Sequence, residues 1–93
     1  MRVGIARIAL RLPQSTSLKD KRRLLKSLLA RVRQEFNVSI SEVDQQDDRR
    51  MAVLGMAFVS NDDRLNQRVI HRILAFIRRN PEILIEDCQT EVF

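Results

Sequence analysis

Tryptophan and tyrosine are absent from the 93 residues, and phenylalanine occurs four times. RNA-recognition modules of the sheet type stack bases on aromatic rings, so readout by stacking is disfavoured. Cysteine occurs once, at Cys88. That excludes an internal disulfide and leaves a cysteine-rich zinc site without ligands; Cys88 reads as a small, half-buried apolar residue. The two glycines, Gly4 and Gly55, both fall in strand patterns. No glycine-rich phosphate loop exists, and their expected role is close packing on a sheet. No run approaches the roughly 20 apolar residues of a membrane span. The opening MRVGIARIALRLP has Arg7 and Arg11 inside its apolar run and no small-residue cleavage site after it. It does not read as a signal peptide, so a cytoplasmic location without a membrane partner is expected.

Positive charge is plentiful. Seventeen Lys and Arg against twelve Asp and Glu leave a formal charge of +5. Residues 1–36 hold ten of those cations against Asp20 and Glu35 alone, while acids gather at Asp44, Asp47 and Asp48 and between Glu82 and Glu91. Such separation can draw a polyanion to one surface, or let two copies meet basic region to acidic region.

The organising stretch is Ser17–Phe36, SLKDKRRLLKSLLARVRQEF. Ser17 is a helix cap, Asp20 sits where a capping box places its second member, and Pro13 blocks extension backwards. At about 100° per residue, Leu18, Leu25, Leu28, Leu29, Val32 and Phe36 share one arc, and Lys19, Arg22, Arg23, Lys26 and Arg33 a neighbouring arc without an acid.

Around this helix, Arg2–Leu12 alternates as a strand with Ala6, Ile8, Leu10 and Leu12 toward the core. Asn37–Val43 and Arg50–Ser60 read as a hairpin about a polar Asp44–Asp48 turn, with Leu54, Met56 and Phe58 facing the helices. Ser60-Asn61-Asp62-Asp63 starts a second helix, Asp62–Arg79, which Asn80-Pro81 stops. Glu82–Cys88 reads as a fourth strand at a sheet edge. The order βαββαβ with right-handed crossovers predicts an α+β ferredoxin-like sandwich over residues 1–93, one domain, with four antiparallel strands and both helices on one face.

SLKDKRRLLKSLLARVRQEFNVSISEV (Ser17–Val43), the Asp47 position and AVLGMAFVSND (Ala52–Asp62) resemble the bacterial YlxP-like proteins over essentially the whole chain. The motifs that carry the likeness are S-L-K-x-K-R, F-N-V-S, E-V and V-S-N-D. The resemblance implies a ferredoxin-like fold and no established activity; the family's frequent place among translation and ribosome-maturation genes implies an RNA-linked role. Arg49 stands where the family tends to have tryptophan, so a contact through that ring is not expected here.

No catalytic constellation emerges. His71 lies opposite the apolar arc of its helix as a solvated residue, and a general base needs a positioned partner in a dry pocket. Asp44, Asp47 and Asp48 offer carboxylates, but Asp in a turn more often accepts backbone hydrogen bonds. Glu42 is assigned no acid–base role. Metal and cofactor are therefore not expected. Two partner surfaces are. Lys19, Arg22, Arg23, Lys26 and Arg33, with Arg64, Arg68 and Arg72, form a candidate phosphate-contacting surface for structured RNA or the ribosome. Val3, Ile5, Ala9, Val53, Gly55, Ala57 and Val59 line the sheet face that lacks helices and form a candidate homodimer interface. The leading expectation is a non-enzymatic module that binds structured RNA. The alternative is a protein-interaction module that dimerises through the open face without touching nucleic acid.

Overall fold

A computed structural model describes residues 1–93. The elements are β1 (Arg2–Arg11), α1 (Leu18–Glu35), β2 (Ser39–Asp44), β3 (Met51–Ser60), α2 (Asp63–Arg78) and β4 (Leu84–Val92). The strands make one antiparallel sheet in the order β2-β3-β1-β4. Both helices pack on one face of it, giving the ferredoxin-like sandwich that the apolar periodicities predict.

The core follows from strand alternation. Ala6, Ile8 and Leu10 of β1 pair with Met56, Leu54 and Ala52 of β3, so the two central strands present one continuous apolar face. All six are buried, together with Leu12 and Phe58. Leu25, Leu28 and Val32 of α1 and Ile70, Ile73, Leu74 and Ile77 of α2 close over them. A Cβ on Gly4 would stand 2.6 Å from Cζ of Phe58, so the ring lies over the glycine, as close packing requires.

The fourth strand departs from its expected bounds. Ile83 is already buried under the helices before the strand begins, and pairing then runs on to Val92 instead of ending at Cys88. Val3 and Phe93 even exchange backbone hydrogen bonds of 2.8 and 2.9 Å. The register shifts between Ala9 and Leu10 of β1, a bulge that leaves Glu86 unpaired on β4. Polar residues on both faces of an edge strand erase the alternation that marks a strand in sequence. That is why the sequence pattern does not carry the strand past Cys88.

The helix starts are built from the signals in the sequence, with one change of partner. Ser17 Oγ accepts from the Asp20 amide at 3.0 Å. The Asp20 carboxylate turns back past Ser17 to Thr16, accepting from its hydroxyl at 2.6 Å and its amide at 3.2 Å. Asp62 caps α2 by accepting from the Arg64 amide at 2.8 Å. Ser60, from the V-S-N-D motif, hydrogen-bonds the buried Asn66 and also reaches Asp62 O at 3.1 Å.

One buried side chain is charged. Lys21 sits on the apolar side of α1 with no solvent exposure. Its Nζ donates to the carbonyls of Gln45 at 2.7 Å, Met51 at 3.0 Å and Gln46 at 3.3 Å. Glu42 Oε2 stands 3.0 Å away, a charge contact without hydrogen-bond geometry, on a side chain that is 19% exposed. The turn that supplies the carbonyls holds Gln45 at φ 60. Burying a lone ammonium would be prohibitive; three carbonyls and a carboxylate make it tolerable, and in doing so tie α1 to the β2–β3 turn. Removing one partner of such a set costs about 3–5 kcal/mol, a large part of the roughly 5–15 kcal/mol that stabilises a domain of this size. Lys21→Met keeps the side-chain volume but orphans Glu42 and the three carbonyls. Denaturant unfolding should show a loss of about 3–5 kcal/mol, partly recovered when Glu42→Leu is added. A loss too small to measure would contradict the role given to this ammonium.

Three aspartates tie this fold to pH. The Thr16 hydroxyl, with the Thr16 amide, holds the Asp20 carboxyl below the usual aspartate range. The Gln45 amide, with Arg7, does the same for Asp44, and the Arg50 amide, with that of Met51, for Asp48. A folded-state value below the unfolded one adds stability above the unfolded value, and that stability is lost as pH falls through the folded value. The thermal midpoint should therefore hold on acidification to about pH 5 and drop below about pH 4. Asp48→Asn should lower the midpoint at neutral pH and flatten the acid decline. An unchanged acid decline in that variant would contradict the assignment.

Candidate nucleic-acid interface

Of the eight cations that the sequence nominates, six have no carboxylate within 4.0 Å: Lys19, Arg22, Lys26, Arg33, Arg68 and Arg72. The other two make only loose contacts within their own helix, Arg23 to Asp20 and Arg64 to Asp62, both at 3.8 Å. All eight are exposed. The ion pairs that are short involve other residues: Arg2 with Asp63, Arg7 with Asp44, Arg11 with Glu86 and Lys21 with Glu42.

Their placement is less uniform than their charge. The helices run antiparallel and meet through their C-terminal halves. Ser27, Leu28 and Arg31 stand against Phe76, Arg79 and Asn80, and Glu35 and Phe36 against Arg72 and Phe76. Arg33 donates to the Ile40 carbonyl of β2 at 2.5 Å. That bond shows that the flank of α1 bearing Arg33, and by helical spacing Arg22, Lys26 and Lys19, lies on the β2 side, away from α2. Arg68 and Arg72 project from the opposite helix, and Arg64 from its start. The two arcs therefore belong to one helical layer but do not merge into one patch. Ser27, Ala30 and Gln34, which are neutral, form the crest of α1 between its flanks.

Arg31 and Arg79 fill that gap, and neither was among the nominated residues. The Arg79 guanidinium lies 5.6 Å from the Phe76 ring centre, and Phe36 meets Phe76 edge to face at 5.8 Å and 84°. The sequence carried a signal in Phe76 and Arg79, three apart across the last helical turn. Lys21 was also missed, although it stands on the same arc as Leu25, Leu28 and Val32.

The open sheet face is divided. At one end Phe93, Val3 and Val59 form a row across three strands, with Ile5 and Ala57 in the next row. Val59 is 66%, Phe93 62% and Ile5 40% exposed. The other end is polar. Arg7 reaches from β1 across β3 to Asp44 on β2 at 3.0 Å, over the strand that carries Gly55 and Val53. A Cβ on Gly55 would stand 2.8 Å from Cγ1 of Val43. Val53 is buried, only 6% exposed, which corrects its nomination as an interface residue. Ala9 and Gly55 share its half of the face and are also partly covered.

Two of the three turn aspartates are already hydrogen-bonded. Asp48 Oδ1 accepts from the amides of Arg50 and Met51 at 2.8 and 3.0 Å, and Asp44 Oδ1 from Gln45 at 2.8 Å. His71 and Cys88 line one shallow hollow of about 240 Å³ with Gln67, Ile70, Leu74 and Thr90. Burial, with Asp87 adding to it against Arg78, pushes the Cys88 thiol up. It therefore stays protonated at neutral pH, a poor state for a nucleophile. No helix is long and apolar enough to cross a membrane.

Comparison with known proteins bears on the fold and the lineage. The family described as "Protein of unknown function (DUF503)" matches residues 3–90. The uncharacterized protein YlxP of Bacillus subtilis (strain 168) is 40% identical over 91 residues, covering 98% of this chain and 99% of that protein. Among solved structures, the de novo designed protein Foldit4 superposes with a TM-score of 0.56 at 18% identity, over 100% of this chain and 97% of that one. That last likeness shows the fold alone.

Proposed function

The chain belongs to the DUF503 family of YlxP-like proteins, and from that starting point we propose that it is a non-enzymatic module that binds structured RNA through its helical layer. One observation carries the reading: six of the eight nominated cations stand in solvent with no carboxylate within ion-pair distance. Cations left unneutralised on an exposed layer release counterions when phosphates displace them. Their spread along both helices, in a molecule 42 Å long, suits many contacts to a folded backbone better than one pocket for a small substrate. The sheet supports the same choice by default. Phe58, the aromatic of the central strands, is buried on the helix side, so those two strands offer no ring on the open face; the one exposed ring there, Phe93, lies beyond the end of the edge strand β4. The ribosome is one source of such RNA.

The test is fluorescence anisotropy with a structured RNA hairpin across a salt series. The logarithm of affinity should fall against the logarithm of salt, with a slope of about −0.9 for each duplex phosphate neutralised. Reversing Lys19, Arg22, Arg23 and Lys26 to Glu should weaken binding at least about tenfold and flatten that slope. Equal binding by wild type and the reversed variant would overturn the proposal.

The exposed Val59, Phe93 and Ile5 favour a second reading, in which two copies pair through the apolar end of the sheet. The patch is smaller than the face the strand pattern nominates, because Arg7 and Asp44 cap the rest. Light scattering at rising concentration should show a dimer that Val59→Lys abolishes. A wild-type protein that stays monomeric throughout would remove this reading, and RNA binding, which uses the other side, would be untouched.

A further inference from the structure

The seam between the helices is built differently from the two basic flanks. Two hollows, of about 450 and 350 Å³, adjoin there and share Phe76 and Arg79. The first is lined by Ser27, Arg31, Arg79 and Asn80 above apolar Leu28, Phe76 and Pro81. Its polar groups are donors. Arg31 and Arg79 have no carboxylate within 4.0 Å, and the Asn80 carbonyl oxygen is already taken by the Glu82 amide at 2.9 Å, which leaves the Asn80 NH2 free. No acid lines this hollow. The second adds Arg72, and with it one acid, Glu35, which makes no ion pair.

We propose that this interhelical groove is a phosphate-binding site, with Arg31 and Arg79 as its clamp. Resting on the RNA reading, its natural ligand is a backbone phosphate of the bound RNA, with the next phosphate of the strand passing toward Arg72. A guanidinium fork matches two phosphate oxygens at once. The Arg79 guanidinium lies over the Phe76 ring, 5.6 Å from its centre and within cation–π reach, and Phe36 braces that ring in turn, which favours one placement of the fork. Fixing the fork beforehand reduces the ordering cost of binding. The C-terminus of α2 points about half a negative charge at this region, and three guanidiniums outweigh it. The free cations of the α1 flank have no such frame: they attract a polyanion, whereas the groove sets where it sits.

The experiment has two ligands and separates this claim from the wider one. Calorimetry with inorganic pyrophosphate tests the groove alone. Binding should be measurable for wild type and lost in Arg31→Ala with Arg79→Ala. The RNA hairpin tests the source of the phosphate. The same double variant should weaken binding about tenfold or more and reduce the salt slope by about 1, for the one phosphate that the two arginines clamp. Arg79→Lys, which keeps the charge and loses the fork, should fall between. Glu35→Gln should tighten RNA binding several-fold, and Glu91→Gln, on β4, should leave it unchanged. RNA binding that survives the double variant at full strength would overturn the groove while leaving the RNA reading in place. Pyrophosphate binding without RNA binding would support the groove and overturn the RNA reading. Binding of neither would overturn both.

Discussion

A single ammonium, buried among three carbonyls and a carboxylate, sets the rotation of α1. Lys21 points inward because the β2–β3 turn has carbonyls waiting for it. Turning the helix by one residue would expose that ammonium's partners and drive Arg22 toward the core. The anchor therefore decides which of the crowded cations in SLKDKRR face water. It also places the turn, since Gln45 holds a left-handed backbone that only a compensated site tolerates in a long side chain. The electrostatics of the outer surface thus depend on a contact that is wholly inside.

The same economy of means shapes the sheet. Its two central strands share a register in which the helix-facing positions from Gly4 to Leu10 and from Ala52 to Phe58 are all apolar, and the core is complete with few aromatics. What remains for the open face is an apolar row with Phe93, Val3 and Val59 at one end and ion pairs at the other. Arg7 and Arg11 each reach an acid on an edge strand, Asp44 on β2 and Glu86 on β4. These pairs are half exposed and contribute little to stability, but they place charge across the end of the open face away from Val59 and Phe93. The helical layer keeps the unpaired charge, and the sheet keeps a small apolar corner.

Most of the fold was legible in the sequence. Strict alternation in Ala6, Ile8, Leu10 and Leu12, the caps at Ser17 and Asp62, and the Asn80-Pro81 stop all carried their structural meaning on their face. The end of β4 was not, because an edge strand with two wet faces has no alternation to read. The cover over Val53's half of the face comes from Arg7 of β1 and Asp44 of β2 pairing across β3, and from Val43 crossing over Gly55, and neither shows in a linear pattern. Lys21 was hidden by its neighbours: in a run of cations, one that points inward looks like the rest until its carbonyls are placed. Arg31 and Arg79 needed the helix pairing before they could be seen to meet. Periodicity assigns a residue to a face of its own element; it does not say which element that face will meet.

The most direct measurement is mapping of backbone amide shifts by nuclear magnetic resonance while a structured RNA is added at low salt. Shifts confined to α1 and α2, largest around Arg31 and Arg79 and fading as salt is raised, are what this account predicts. Shifts centred on the open sheet face, or none at all, would contradict it.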